Sequence, residues 1–186
     1  MRTRKETGKL KHAPPKLRWG CSVLLVTLAF APLGCKRKEA GKEAPAMAST
    51  VHMGDPRAAT QLISGFYGIE QSAWRWTGRR FSLVLRPPLG ASQKGATLQV
   101  RLTVPPVIVE KLKTISLSAT IGGSALPPET YTQVGDYTYT REVAPALLSG
   151  GSVRVDFELD KSMPPAGADA RDLGLVVLSA GLELKQ

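Results

Sequence analysis

Beyond Leu62, apolar and polar residues alternate along much of the chain with a period of two. The runs 97–104, 114–121 and 152–160 alternate without a break. Each presents an apolar face and a polar face, as a half-buried antiparallel strand requires. Weaker alternation marks 62–67, 73–76, 79–85, 129–133, 137–141 and 174–184. Between these runs fall Pro87-Pro88, Pro105-Pro106, Gly122-Gly123, Pro127-Pro128, Gly135-Asp136, Gly150-Gly151 and Pro164-Pro165, punctuators at strand-length spacing. About nine short strands with such breaks and no convincing helix predict an all-β antiparallel sandwich, jelly-roll or immunoglobulin-like, over 62–186. The 18 glycines, 14 prolines and 6% aromatics agree with a strand-and-turn protein.

The N-terminal pattern differs. Basic residues end at Arg18, an eleven-residue apolar run covers 21–31, and Pro32-Leu33-Gly34-Cys35 follows. This is the layout of a secretory signal peptide. The run is short for a spanning helix, which needs about 20 apolar residues, and Lys36-Arg37-Lys38 comes soon after it. The Leu-Gly-Cys ending resembles the lipobox of bacterial lipoproteins, although Pro32 stands where that family has Leu. An ordinary cleaved signal or an uncleaved anchor are the alternatives. The resemblance implies that residues 1–34 leave as a lipoprotein signal peptide and that Cys35 becomes an acylated first residue. Two or more acyl chains hold a protein stably where one holds it marginally. In a host with two membranes, the resemblance favours the outer one, because Lys36 replaces the Asp that retains lipoproteins at the inner. Residues 35–61, rich in Lys, Glu, Ala, Gly, Pro and Ser, read as a flexible tether.

Position also reinterprets the net charge of +10, which taken whole points to an anionic partner such as nucleic acid. Residues 1–34 hold seven basic side chains and one acidic; residues 51–186 hold fourteen and twelve. Most of the excess belongs to export, and a nucleic-acid partner is not expected.

Several chemistries are absent. His12 precedes Cys35 and His52 lies in the expected tether; the only cysteines are Cys21 and Cys35. The expected domain therefore has no Ser-His-Asp triad, no Cys-His pair, no His-built metal site and no disulfide. No phosphate-cradling glycine motif occurs. A carboxylate-pair hydrolase needs no His, but nothing in the sequence brings two acids together. Asp156, Glu158 and Asp160 share one strand face; they read as a solvated face beside Arg154 and Lys161, with a Ca²⁺ site as the alternative.

The most unusual stretch is 65–78, Gly-Phe-Tyr-Gly-Ile-Glu-Gln-Ser-Ala-Trp-Arg-Trp-Thr-Gly. In a strand, Trp74 and Trp76 point one way and Arg75 the other. Two aromatics on one face beside Arg and Glu suit a sugar, whose apolar ring faces stack while charged groups take its hydroxyls. A core aromatic pair with Glu70 and Arg75 at its rim is the competing role, favoured for Trp76 and evenly balanced for Trp74.

Together with Asp169-Ala170-Arg171-Asp172-Leu173-Gly174-Leu175, this stretch resembles small bacterial β-sandwich domains appended to glycosyltransferases and methyltransferases of surface-polysaccharide pathways. The resemblance spans about Ser64 to Leu184. It implies a non-catalytic accessory domain with suspected glycan binding, and nominates Tyr67, Glu70, Arg75, Trp76 and Arg171. Arg171 has the alternative of closing an internal ion pair with Glu70. The expectation is a lipid-anchored, non-enzymatic envelope protein that binds a glycan. A structural or assembly role with an envelope protein as partner is the second expectation, and a cryptic hydrolase the third.

Overall fold

The computed structural model describes residues 46–186. The expected signal peptide, Cys35 and the first part of the expected tether lie outside the described residues. The strands are β1 (Thr50–His52), β2 (Leu62–Glu70), β3 (Trp74–Leu85), β4 (Ala96–Val104), β5 (Ile115–Ile121), β6 (Ser124–Tyr131), β7 (Gly135–Val143), β8 (Val153–Leu159) and β9 (Val176–Leu184). All pair antiparallel, in the order β6-β5-β8-β3-β9-β4-β7, with β2 added to β3 and β1 to β9. The fold is the expected all-β sandwich, built from a sheet that nearly closes on itself.

The period-two runs act as predicted. Ile115, Leu117, Ala119 and Ile121 of β5 are buried, as are Val153, Val155, Phe157 and Leu159 of β8 and Leu98, Val100, Leu102 and Val104 of β4. Phe81 stacks on Phe157, centroids 4.8 Å apart, and meets Phe66 edge-on at 5.3 Å. Burying one such side chain contributes roughly 1.5–3 kcal/mol, so the core needs no disulfide.

Three expectations change. First, 73–76 and 79–85 are one strand. β3 pairs with β8 over Arg80–Leu85 and with β9 at Arg75 and Trp76. Between these stretches, Thr77 N–H donates to Leu175 O (2.9 Å), Gly174 N–H to Thr77 O (2.6 Å), and Leu175 N–H to Thr77 Oγ1 (3.1 Å). A Cβ on Gly174 would lie 2.8 Å from both Gly78 O and Thr77 Oγ1, so only glycine lets the chain come this close. A strand that changes partners in this way turns the corner between the layers.

Second, the expected tether of 35–61 is partly folded. Val51 and Met53 are buried, β1 pairs with β9, and Pro56–Thr60 forms a 3₁₀ turn capped by the Asp55 side chain. A polar composition hid two apolar anchors spaced one residue apart. Third, helices exist where none was expected: α1 (Ala91–Lys94), α2 (Pro106–Leu112) and a 3₁₀ turn at Pro145–Leu148. In α2, Pro106 occupies the tolerant first turn and Ile108 is buried. The segment is too short for helical periodicity to show.

The seam between β6 and β7 is held by side chains. Pro127 and Pro128 carry no N–H, which confines them to an edge strand. Tyr139 O–H donates to Pro127 O (2.9 Å), and Arg141 donates to Pro127 O (2.6 Å) and Pro128 O (3.0 Å). Arg141 also pairs with Glu129 at 3.0 Å and lies 4.1 Å over the Tyr139 ring. The neighbouring Tyr131 hydroxyl is buried without a hydrogen-bond partner among the described residues. Burial, followed by the Glu129 charge, pushes its phenol well above the usual range.

The two tyrosines should respond oppositely to removal of the hydroxyl. Tyr139→Phe is expected to lower stability by about 0.5–1.5 kcal/mol through its lost hydrogen bond, whereas Tyr131→Phe should leave stability unchanged or raise it. Urea midpoints of the two variants check this.

Candidate functional site

The aromatic stretch forms the end of the β2–β3 hairpin. Glu70 is the cross-strand partner of Trp74, and Ile69 that of Arg75. The register then shifts before the Phe66–Thr77 pair, so Tyr67 and Gly68 together face Trp76. This is a β-bulge, a device that re-aims a side chain. Here it brings the Tyr67 ring to Arg171, whose guanidinium carbon lies 5.4 Å from the ring centroid.

The nominated polar residues come together, largely to hold one another. Arg171 Nη1 donates to Glu70 Oε1 at 2.7 Å, while its Nε and Nη2 fork onto Asp169 at 2.9 and 2.8 Å. The internal Glu70–Arg171 ion pair is therefore real. Tyr67 O–H donates to Asp172 O (2.9 Å) and accepts from Asp172 N–H (3.1 Å). Among the described residues Arg75 pairs with no carboxylate. It donates from Nε to Met53 O (3.1 Å) and from Nη1 to Tyr67 O (2.8 Å), tying β3 to the ends of β1 and β2. Arg75 and Arg171 are thus staples, and Arg171 has all three nitrogens engaged. Arg171, through Glu70, and Tyr67, through Asp172, fasten the loop 160–175 onto the hairpin.

Asp169 escaped sequence reasoning as a site residue. Its carboxylate also accepts the Arg171 N–H at 3.0 Å, and an Asp two residues before an Arg is the signal that could have flagged it. The Arg171 side-chain hydrogen bonds, then the backbone one, lower its carboxyl pKa to about 2.

The aromatic pair fares differently. Trp74 and Trp76 meet edge-to-face, centroids 6.2 Å apart at 79°, and both are half-buried. Trp76 packs against the core, the role favoured for it; Trp74, equally half-buried, is not among the residues packed against the core. A Cβ on Gly68 would meet nothing within 4 Å, so space is open beside the pair. The site is an aromatic ledge next to a rigid charged cluster.

The row Asp156, Glu158 and Asp160 behaves as a solvated face. Arg154 holds Asp156 at 2.7 Å, Arg80 holds Glu158 at 2.9 Å, and the Ser116 N–H donates to Asp160 at 2.7 Å. This outer sheet face also has a hollow of about 300 Å³ edged by Ser64, Ser82, Ser118 and Thr120, which sequence reasoning did not single out. Among the described residues no group of three or more His, Cys, Asp or Glu could hold a metal ion.

No protein-family model and no curated protein matches this chain. Among solved structures it is similar to a family GH115 4-O-methyl-α-glucuronidase specific for decorated arabinogalactans, at 10% identity and a TM-score of 0.46, covering 75% of this chain and 18% of that one. It is also similar to the carbohydrate-binding module CBM36 in complex with calcium and xylotriose, at 12% identity and TM-score 0.41, over 72% of this chain and 98% of the module. A CBM36-1 domain of a multidomain xylanase from the hindgut metagenome of Trinervitermes trinervoides follows, at 10% identity and TM-score 0.40, over 74% and 97%. The chain spans less than a fifth of the glucuronidase. These likenesses stop at the arrangement of strands.

The Arg171 staple makes a pH prediction. A carboxyl whose pKa is depressed by folding stabilises the fold above its unfolded value and loses that contribution as pH falls through its folded value. The loop's attachment should therefore weaken between roughly pH 4 and pH 2. In Arg171→Met, which keeps the backbone bond, the Asp169 carboxyl should titrate higher, toward the ordinary range; NMR titration of its carboxyl carbon checks this, and an unchanged midpoint would remove the Arg171 side chain as the main cause.

Proposed function

We propose that this chain is a non-enzymatic, lipid-anchored envelope protein whose β-sandwich binds carbohydrate at the Trp74–Trp76 ledge. The observation that carries the reading is the edge-to-face tryptophan pair, half-exposed at the end of β3 with Glu70 as its cross-strand neighbour. A sugar ring stacks on an indole through its apolar C–H face. The Arg171 ion pair uses Glu70 Oε1, and a carboxylate has two oxygens with capacity to accept several hydroxyls. The staple thus orients an acceptor beside the aromatic surface, so little side-chain entropy is lost on binding. The nominated site then divides by role. Trp74, Trp76 and Glu70 face the ligand, and Tyr67, Arg75 and Arg171 position them.

The anchor rests on the sequence, through the signal-like segment ending at Cys35. Lipid on Cys35 would make a membrane the first partner, with Lys36 favouring the outer membrane where two are present.

Two measurements test these readings. On a glycan array, the full chain should bind a defined subset of oligosaccharides, and Trp74→Ala should weaken binding about tenfold, equivalent to roughly 1.4 kcal/mol. Equal binding by the variant would move the site elsewhere, and a blank array would sink the carbohydrate reading. In cells, a palmitate analogue should label the wild-type chain; label persisting in Cys35→Ser would refute the anchor.

A further inference from the structure

The described chain begins at one end of the sandwich, and that end differs from the rest of the surface. Ala48 is clamped there. Its carbonyl accepts from Arg86 N–H at 3.0 Å, and its amide and carbonyl both bond the Gln61 side-chain amide, at 2.8 and 3.0 Å. Arg86 opens the loop after β3. The next residues, Pro88-Leu89-Gly90-Ala91, form a tight turn closed by Ala91 N–H donating to Pro88 O at 3.0 Å. Gly90 sits at φ 86°, ψ −3°, the third-position geometry of a type II turn that glycine adopts freely.

Leu89 therefore stands at the outer corner of an ordered turn, stiffened by two prolines, and is 97% exposed. Among the described residues the exposed large hydrophobic side chains are Ile63, Leu89, Val134 and Leu184. Leu184 lies beside the same turn, with its methyl groups next to Gly90. Arg86 and Lys94 flank the turn, and neither forms an ion pair among the described residues. The nearby carboxylates Glu142 and Glu183 are engaged by Lys185 and Gln99. A hollow of about 590 Å³ opens beside the turn, with Arg86, Ser92 and Ser149 on its walls.

We propose that this end is a membrane-seating base: Leu89 enters the boundary between headgroups and acyl chains of an anionic bilayer, and Arg86 and Lys94 meet the lipid phosphates. The inference rests on the reading that Cys35 carries lipid. Cys35 lies thirteen residues before Ala48, and that length of chain spans at most about 45 Å in any conformation. The anchor therefore bounds how far Ala48 can lie from the bilayer, and the exposed apolar turn with its two cations supplies the orientation. An apolar tip among cations is the composition that seats on anionic lipid, where insertion reaches about 5–10 Å and each surface cation adds attraction within a Debye length.

Orientation follows. β3 runs from Trp74 to Leu85, and twelve extended residues measure roughly 35 Å. Because β3 bends at Thr77 and Gly78, seating the Leu89 end directs the Trp74 ledge away from the bilayer by less than that contour length.

The test uses the full chain isolated with its lipid, in a Cys21→Ser background. It is reconstituted in vesicles of three parts phosphatidylcholine to one part phosphatidylglycerol. An environment-sensitive thiol probe is placed at Leu89→Cys or, at the opposite end, Ala170→Cys. Nitroxide-bearing lipids should quench the probe at 89 severalfold more than at 170. Adding Arg86→Glu and Lys94→Glu should abolish that difference, as should vesicles of phosphatidylcholine alone. Equal quenching at both positions in a chain whose Cys35 takes the palmitate label would overturn the seating and leave the anchor standing. A chain without label and without vesicle association would overturn both.

Discussion

A sheet that curls into a closed sandwich must turn a corner without abandoning the hydrogen bonds of the strand that turns. β3 meets this constraint at Thr77 and Gly78. Its partner changes there from β8 to β9, and the gap is filled from the loop leading into β9. Thr77 is fully buried, yet its backbone and hydroxyl groups all face Gly174 or Leu175. A buried polar group left unpaired at this point would cost the fold more than most single contacts contribute. The loop that satisfies it is the one carrying Asp169, Arg171 and Asp172.

The candidate ledge inherits its position from that corner. The hairpin end with the tryptophans projects beyond the crossing, and the loop 160–175 has to pass close beneath it. Arg171 and Tyr67 fasten the two together, so residues that resemble a binding constellation in sequence are mainly a clasp. Binding and stapling are compatible because a clasped carboxylate is oriented and an indole pair needs only one open side.

The period-two strands were legible because each has one buried and one wet face, which leaves its mark in every second residue. β4, β5 and β8 emerged with boundaries close to those read from sequence. Elements that depend on distant partners were not legible. β1 is strand only because β9 offers it an edge, and β6 includes Pro127 and Pro128 because an edge strand needs no N–H on its open side. The join of 73–76 to 79–85 could not be read either, since Gly78 looks like a turn when its β9-side neighbours are unknown. At the site, residue types were legible and pairings were not. The alternative that sets Arg75 with Glu70 at the rim fails because from the strand Arg75 points to the other side, where Met53 O and Tyr67 O accept its hydrogen bonds.

The clamp on Ala48 has a mechanical consequence. Bonds from Leu182 N–H to Ser49 O and from Met53 N–H to Leu178 O bracket the β1–β9 pairing. Gln61 and Arg86 grip the residue just before it. A pull applied along β1 would load these bonds together in shear instead of unzipping them one after another. The domain would then resist such a pull through the whole strand, and β9, gripped on both edges, would carry the force into the centre of the sheet.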